Sequence, residues 1–312
     1  MWAQNRAGTD VPDFDVFARV LGTTEDELIS CAAPPQRNVR LATNGDTTLA
    51  AWLESRTSSL SQVRVGCFTR DGVPLDGEGI VVGAQAVSLS ATFDGRNYIV
   101  AWGSPTNAGF PDRVSWDGSD ARPRIAWSGS RWLVAWEHTK PLPPGPNPPT
   151  GAPPPAPSHD VRAARLTPSL ELLDPVEIVI ANTPSGDATR PSVASNGIDF
   201  LVAWSDRELG IRARRVASDG TLGDPVAFSR GTAPSVAMHG SDYVVAWIDR
   251  SDIVVAPLAA PSLRVPLAAS ADGSSGVTLL GTFAAYDRLN GDDVPRGFLR
   301  AYTLARPRPA RH

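Results

Sequence analysis

Long apolar runs are absent from this sequence. None approaches the roughly 20 consecutive apolar residues that a helix needs to cross a bilayer. The first residues also lack the charged segment and the apolar stretch of a signal peptide. With 42% hydrophobic residues and a mean hydropathy of −0.14, the composition predicts a soluble globular protein without a membrane span.

Lysine is nearly absent, because Lys140 is the one lysine among 29 basic residues. The formal net charge is −4, and the arginines are spread among acidic residues instead of clustering in one stretch. Nucleic-acid binding requires a basic face. The sequence therefore predicts no nucleic-acid partner.

Cysteine is scarce, with only Cys31 and Cys67 in the chain. An even number of cysteines in an exported protein permits one disulfide. Two isolated buried thiols explain the same pair equally well, so the sequence leaves both possibilities open.

Catalytic and metal-binding motifs are missing as well. The chain has no G-x-S-x-G, H-E-x-x-H, glycine-rich phosphate loop or EF-hand loop. The four histidines show no metal-ligand spacing, and the acidic stretch at residues 290–293 is typical of a turn. We expect no metal, no cofactor and no enzymatic activity, although paired carboxylates of a glycosidase would be a spatial feature that sequence does not reveal.

The chain does contain a repeated unit, seen most clearly at residues 190–229. A short apolar run ends at Asn196-Gly197, which predicts a two-residue hairpin turn. The next segment, Phe200 to Trp204, is apolar on both faces and predicts a strand that is covered on both sides. A third strand, a turn at Asp219-Gly220 and a fourth strand follow, so the unit is an antiparallel meander.

Copies of this unit recur along the chain, each with a glycine seven residues before a tryptophan. These pairs are Gly45 and Trp52, Gly95 and Trp102, Gly129 and Trp136, Gly197 and Trp204, and Gly240 and Trp247. A looser copy near the C-terminus has Tyr286 in place of the tryptophan. A meander of about forty residues is too small to bury its own two faces, so the copies must stack on one another.

The first residues resemble the middle of a repeat, because WAQNR at Trp2 to Arg6 matches WLESR at Trp52 to Arg56. Trp2 would then be a seventh aromatic anchor. We expect that residues belonging to the fold, together with a signal peptide, precede this chain in the complete protein.

The repeats predict an all-β fold, a β-propeller of four-stranded antiparallel blades. Seven blades are favoured, with the first and last incomplete, and six remain possible. We expect one propeller domain over residues 1–305 and a disordered tail over 306–312. The expected repeats are 1–31, 37–82, 86–119, 121–181, 188–229, 231–270 and 275–304, with a proline-rich loop insertion at 140–158.

The order of apolar strand, glycine turn, aromatic strand, Ser-Asp-Arg loop and Asp-Gly turn resembles the propeller repeats of TolB and its relatives. It is also similar to secreted bacterial repeats rich in LVAW-x-D-x-R strings. The resemblance covers nearly the whole chain and implies an extracytoplasmic setting, either secreted, periplasmic or on the cell surface. It also implies a protein-binding or scaffolding role, although such folds carry enzymes and binding modules alike.

An acidic residue and an arginine follow most of the anchors. The pairs are Glu54 and Arg56, Asp206 and Arg207, Asp249 and Arg250, and Asp287 and Arg288. In a propeller these loops share one rim, so they form either a charged ring for a ligand or repeated structural contacts between blades. We take Asp206, Arg207, Asp249 and Arg250 as candidate binding residues.

The second and third complete copies depart most from the repeat and supply further candidates. These are Trp116, Trp127, Trp132, Glu137 and His138, close to the proline-rich insertion. Exposed tryptophans grip sugar rings or peptides, but tryptophan in such strands is more often part of the core. We therefore expect a non-enzymatic exported propeller that binds protein or glycan, as a monomer or as part of a longer surface protein. A propeller-type polysaccharide hydrolase or lyase is the alternative.

Overall fold

The computed structural model describes residues 2–5, 14–18, 27–30, 36–55, 61–103, 120–140, 158–182, 186–268, 277–280, 283–289 and 295–301. All regular elements in these residues are β-strands, which confirms the predicted all-β class. The strands divide into two compact units, Met1–Trp127 and Ser128–His312. Cys31, Trp116, the insertion beyond Lys140, residues 290–293 and the tail lie outside the described residues.

Unit 1, where the structure describes it, contains ten strands in antiparallel hairpins. They are β1 (Trp2–Asn5), β2 (Phe14–Ala18), β3 (Glu27–Ser30), β4 (Gln36–Thr43), β5 (Thr47–Ser55), β6 (Ser61–Thr69), β7 (Ile80–Ala86), β8 (Ser88–Phe93), β9 (Tyr98–Gly103) and β10 (Asp120–Trp127). In sequence order, β1 to β3 pair in one sheet, β4 to β7 in a second, and β8 pairs with β9. β10 packs beside β8 and β9.

Unit 2 contains fourteen strands in the described residues. They are β11 (Trp132–Thr139), β12 (His159–Leu166), β13 (Ile178–Ala181), β14 (Ala188–Ser195), β15 (Phe200–Asp206), β16 (Gly210–Val216), β17 (Val226–Ala227), β18 (Thr232–His239), β19 (Asp242–Asp249), β20 (Asp252–Pro257), β21 (Val265–Ala268), β22 (Val277–Leu280), β23 (Phe283–Leu289) and β24 (Pro295–Ala301). The groups β14 to β17 and β18 to β21 are four-stranded antiparallel meanders, as predicted for a blade. β11 to β13 pair in order, and so do β22 to β24.

The second strands β15 and β19 form the core of unit 2, because they are covered on both faces. All seven residues of β15 are buried. On one face Leu201 and Ala203 pack with Val236, Val245 and Trp247 of the next meander. Burying both faces of an apolar strand requires a neighbouring sheet on each side. The stacking that the repeat predicted is therefore present within unit 2.

The turn at Asn196-Gly197 differs from the predicted two-residue hairpin. Ser195 pairs with Phe200, so the loop contains four residues. The side-chain oxygen of Asn196 accepts hydrogen bonds from the N–H groups of Ile198 (2.9 Å) and Asp199 (2.8 Å). This Asx turn satisfies two backbone donors, and only Gly197 takes a positive φ, of 92°.

An aromatic residue three positions after the turn glycine fastens one meander to the previous one. The Tyr243 hydroxyl donates to the carbonyl of Asp199 (2.8 Å) and accepts the N–H of Asn196 (2.9 Å). In unit 1, Tyr98 at the matching position donates to the carbonyl of Thr47 (2.7 Å). The repeat thus carries a second aromatic position, besides the tryptophan anchor.

Replacing Tyr243 with phenylalanine removes both of its hydrogen bonds and leaves the ring in place. We expect Tyr243→Phe to lower the free energy of unfolding by about 1 kcal/mol. The N–H of Asn196 and the carbonyl of Asp199 lose the hydroxyl and keep only the 3.2 Å hydrogen bond between them. Burial raises the pKa of Tyr243 to about 12, above the ordinary value near 10. The wild type should therefore lose stability relative to the variant as the pH rises from about 10 to 12, which denaturant titrations at several pH values would measure. Equal stability of the two proteins at pH 8 would contradict this role.

Candidate functional site

The candidate acid-arginine pairs of unit 2, Asp206 with Arg207 and Asp249 with Arg250, lie where the second strands end. Ala188 pairs with Asp206, and Asp206 pairs with Gly210. The start of the first strand, the end of the second and the start of the third therefore share one edge of the sheet. The same arrangement holds at the next meander, where Asp249 pairs with Asp252.

The acidic residues at this edge bind partners other than the arginine that follows them. Asp206 is buried, and its Oδ1 accepts hydrogen bonds from the N–H groups of Glu208 (2.9 Å) and Leu209 (2.8 Å). Asp249 forms an ion pair with Arg264. The Asp206 carboxylate thus caps a turn, and the Asp249 carboxylate ties the end of the second strand to the loop before the fourth.

Acidic residues after the anchors of two other copies are also engaged. Glu54 is fully buried and lies 2.9 Å from Nε of Arg64 on the neighbouring strand. Glu137 is buried, and its Oε1 accepts the N–H of Arg190 on the first strand of the next meander. Each of these carboxylates holds strands together.

The candidates near the insertion are mostly inside the protein. Trp132 is 0% exposed, Glu137 2% and His138 5%, whereas Trp127 is half-buried. Trp132 occupies the second aromatic position of the repeat, the position of Tyr98 and Tyr243. Because its ring is enclosed, it presents no face on which a ligand stacks.

Two polar recesses open at the edge of unit 2 and adjoin each other. The first has a volume of about 580 Å³, and its charged lining residues are Arg230, Asp249, Arg250, Asp252 and Arg264. The second has a volume of about 440 Å³, and its charged lining residues are Asp187, Arg190, Asp206, Arg207 and Arg230. All remaining lining residues are serine, threonine or glycine, and Arg230 and Gly231 line both recesses. We call this joined surface the arginine edge.

Two glycines allow the backbone to approach closely at the arginine edge. A Cβ atom on Gly210, whose φ is 79°, would lie 2.5 Å from the carbonyl oxygen of Ser229. A Cβ atom on Gly231 would lie 2.3 Å from Cδ1 of Trp247. Both distances are too short for carbon, so these positions require glycine. The close contacts bring the chain around Arg230 against both meanders.

Three guanidinium groups of the arginine edge have no partner among the described residues. Arg207, Arg230 and Arg250 are exposed, and their side chains form no hydrogen bond or ion pair there. Arg190 is also exposed, and its Nη1 lies 3.4 Å from Oγ1 of Thr232. Sequence reasoning identified Arg207 and Arg250 but missed Arg190 and Arg230. Arg230 lies outside the interval from glycine to tryptophan that defines the repeat, so no spacing marks it.

A separate charged network lies beside the second recess. The His159 Nδ1 is 2.7 Å from Oδ1 of Asp187, which also accepts the backbone N–H of His159. Lys140 pairs with Asp160 at 3.1 Å and donates to the carbonyl of Gly186 at 3.0 Å. Asp187 is therefore occupied by a structural partner within unit 2.

The described part of the chain contains neither a metal-binding cluster nor a membrane-spanning helix. No cluster of three or more histidine, cysteine, aspartate or glutamate side chains there has a metal-binding arrangement. Among the same residues, no helix is long and apolar enough to cross a membrane.

Comparison of sequences identifies no matching family model and no similar curated protein. Comparison of structures identifies proteins that share the architecture. An α-L-arabinanase of Penicillium chrysogenum, solved with arabinobiose, matches with a TM-score of 0.53 at 10% identity, over 96% of this chain and 88% of that chain. Puromycin hydrolase, solved as a serine-to-alanine mutant, matches with a TM-score of 0.56 at 13% identity, over 93% of this chain and 48% of that chain.

TolB from Acinetobacter baumannii is also among the similar structures, with a TM-score of 0.47 and 9% identity. The match covers 92% of this chain, which spans 56% of TolB. The antiparallel meanders, together with the similarity to the arabinanase and to puromycin hydrolase, define the class of the protein as an all-β propeller fold. The similarity to TolB and other propellers is one of fold only.

Proposed function

We propose that this protein is a non-enzymatic binding module that recognises a protein or a glycan outside the cytoplasm, through the arginine edge. The observation that carries the proposal is that four acidic side chains at or near the ends of the second strands are already bound to partners within the protein. Asp206, Asp249, Glu137 and Glu54 each bind a structural partner, as the contacts above describe. A glycosidase needs two carboxyl groups free to face the substrate.

The shape of the arginine edge also supports binding over catalysis. Its recesses are open, polar and lined by side chains of two successive meanders. Small-molecule active sites are usually enclosed and largely apolar. An open polar edge fits recognition of an extended ligand that remains intact. The extracytoplasmic setting follows from the resemblance to exported propeller repeats.

The proposal is tested by measuring binding and product formation with the same ligands. Purified protein is incubated with a panel of neutral and acidic polysaccharides and peptides. Biolayer interferometry follows binding, and reducing-end and chromatographic assays follow cleavage. We expect binding of at least one ligand without release of product. Turnover of any polymer would favour the alternative, a polysaccharide hydrolase or lyase, and absence of binding across the panel would overturn the proposal.

A further inference from the structure

The side chains of the arginine edge that have no partner within the described residues indicate the charge of its ligand. Its acidic residues Asp187, Asp206 and Asp249 bind His159, backbone N–H groups and Arg264, respectively. Asp252 also has an interaction within the protein. The exposed side chains left without a partner among the described residues are therefore cationic. Counted by charge alone, the described lining has five arginines and four aspartates, a small local excess of positive charge in a chain of net charge −4.

The lining of the recesses excludes recognition by apolar or stacking contacts. Apart from charged residues, only serine, threonine and glycine line them. A neutral sugar ring is usually held against an aromatic face, and none of the described residues that line either recess is aromatic. Binding here must depend on hydrogen bonds and charge.

We infer that the arginine edge binds an acidic peptide segment, whose carboxylates pair with Arg207, Arg230 and Arg250. This inference rests on the proposed function and names its ligand. Guanidinium groups form bidentate, charge-assisted hydrogen bonds with carboxylates. Aspartate and glutamate side chains present those carboxylates on narrow, flexible stems that enter a polar recess without an aromatic platform.

The position of Arg230 determines how such a segment binds. Arg207 belongs to one recess, Arg250 to the other, and Arg230 lines both. A peptide with several acidic residues spans both recesses and contacts Arg230 in the middle. Arg230 should therefore contribute more to affinity than either flanking arginine.

The test measures binding of a fluorescently labelled octaglutamate peptide to the whole chain by fluorescence anisotropy. We expect Arg230→Gln to weaken binding at least tenfold, and Arg207→Gln and Arg250→Gln to weaken it by smaller factors. Arg70→Gln serves as the matched control, since Arg70 is exposed and lines neither recess, and should leave affinity unchanged. Arg230→Lys keeps the charge without the bidentate geometry and should give an intermediate affinity, even if Arg230→Gln folds poorly.

Three outcomes would overturn the inference. Tighter binding of oligogalacturonate than of octaglutamate would assign the edge to an acidic glycan. If none of the three arginine variants changed the affinity for octaglutamate, the arginine edge would be excluded as the binding site. Binding of octaglutamine as tightly as octaglutamate, with no weakening between low and high salt, would remove the carboxylate chemistry. In the last two cases the proposed function stands if another ligand of the panel binds without cleavage and the same arginine variants weaken that binding.

Discussion

Replacement of Glu54 by leucine should lower the free energy of unfolding by about 3–5 kcal/mol. Glu54 is 0% exposed and lies 2.9 Å from Nε of Arg64, whose side chain is 10% exposed. The variant leaves a buried guanidinium without its carboxylate. Hydrogen bonds from Arg64 Nη1 to the carbonyls of Glu78 and Gly79, both at 3.2 Å, remain but carry no compensating charge. The loss would be measured by urea denaturation.

Two further variants separate the ion pair from general damage to the core. Asp249→Asn breaks the pair with Arg264, whose side chain is 44% exposed, so its effect should stay within about 1 kcal/mol. The double variant Glu54→Leu with Arg64→Met replaces both charges with apolar groups and should recover much of the loss. A loss for Glu54→Leu no larger than that for Asp249→Asn would contradict the argument.

The sequence allowed the architecture to be predicted because the repeat is local. A turn glycine and a tryptophan seven residues later lie on one hairpin, so their spacing survives in the sequence. The buried second strands follow from the same segment, as β15 and β19 confirm. The length of the Asn196 turn could not be predicted, because the side chain of Asn196 competes with the backbone for the turn donors.

The partners of the candidate residues could not be predicted, because they lie far away in sequence. Glu137 binds a residue 53 positions later, and Tyr243 binds one 44 positions earlier. Nothing in the spacing shows that Asp249 binds Arg264 instead of Arg250. The acid-arginine pairs recur in the sequence as predicted. The partner of each acidic residue is set by contacts between strands, however, and the spacing of the pairs does not reveal these contacts.

Trp132 shows how a core residue can be taken for a binding residue when only the sequence is known. Together with Trp116 and Trp127 it suggested a cluster of aromatic rings, whereas its position three residues after Gly129 places it with Tyr98 and Tyr243. The variation of residue type at this position, tyrosine in two copies and tryptophan in a third, concealed the repeat. Its burial follows from that shared position.

Replacement of Gly210 by alanine should produce a large loss of stability at the arginine edge. The φ of 79° is unfavourable for any residue with a Cβ atom, which costs about 1–2 kcal/mol. The new Cβ would also lie 2.5 Å from the Ser229 carbonyl oxygen and 2.9 Å from Cα of Arg230. These are backbone atoms that cannot rotate away, so overpacking adds about 1–3 kcal/mol. We expect a total of about 2–5 kcal/mol, measured by urea denaturation.

Gly240→Ala is the matched control for this prediction. Gly240 also has a positive φ, of 64°, but no atom lies within 4 Å of the position that a Cβ atom would take there. Its replacement should therefore cost only the backbone term, about 1–2 kcal/mol. Because the contact at Gly210 presses the loop carrying Arg230 against the β15–β16 hairpin, Gly210→Ala should also weaken octaglutamate binding, whereas Gly240→Ala should not. Equal losses of stability in the two variants would mean that the loop around Arg230 moves to accommodate the new Cβ atom. The contact at Gly210 would then not determine the position of Arg230.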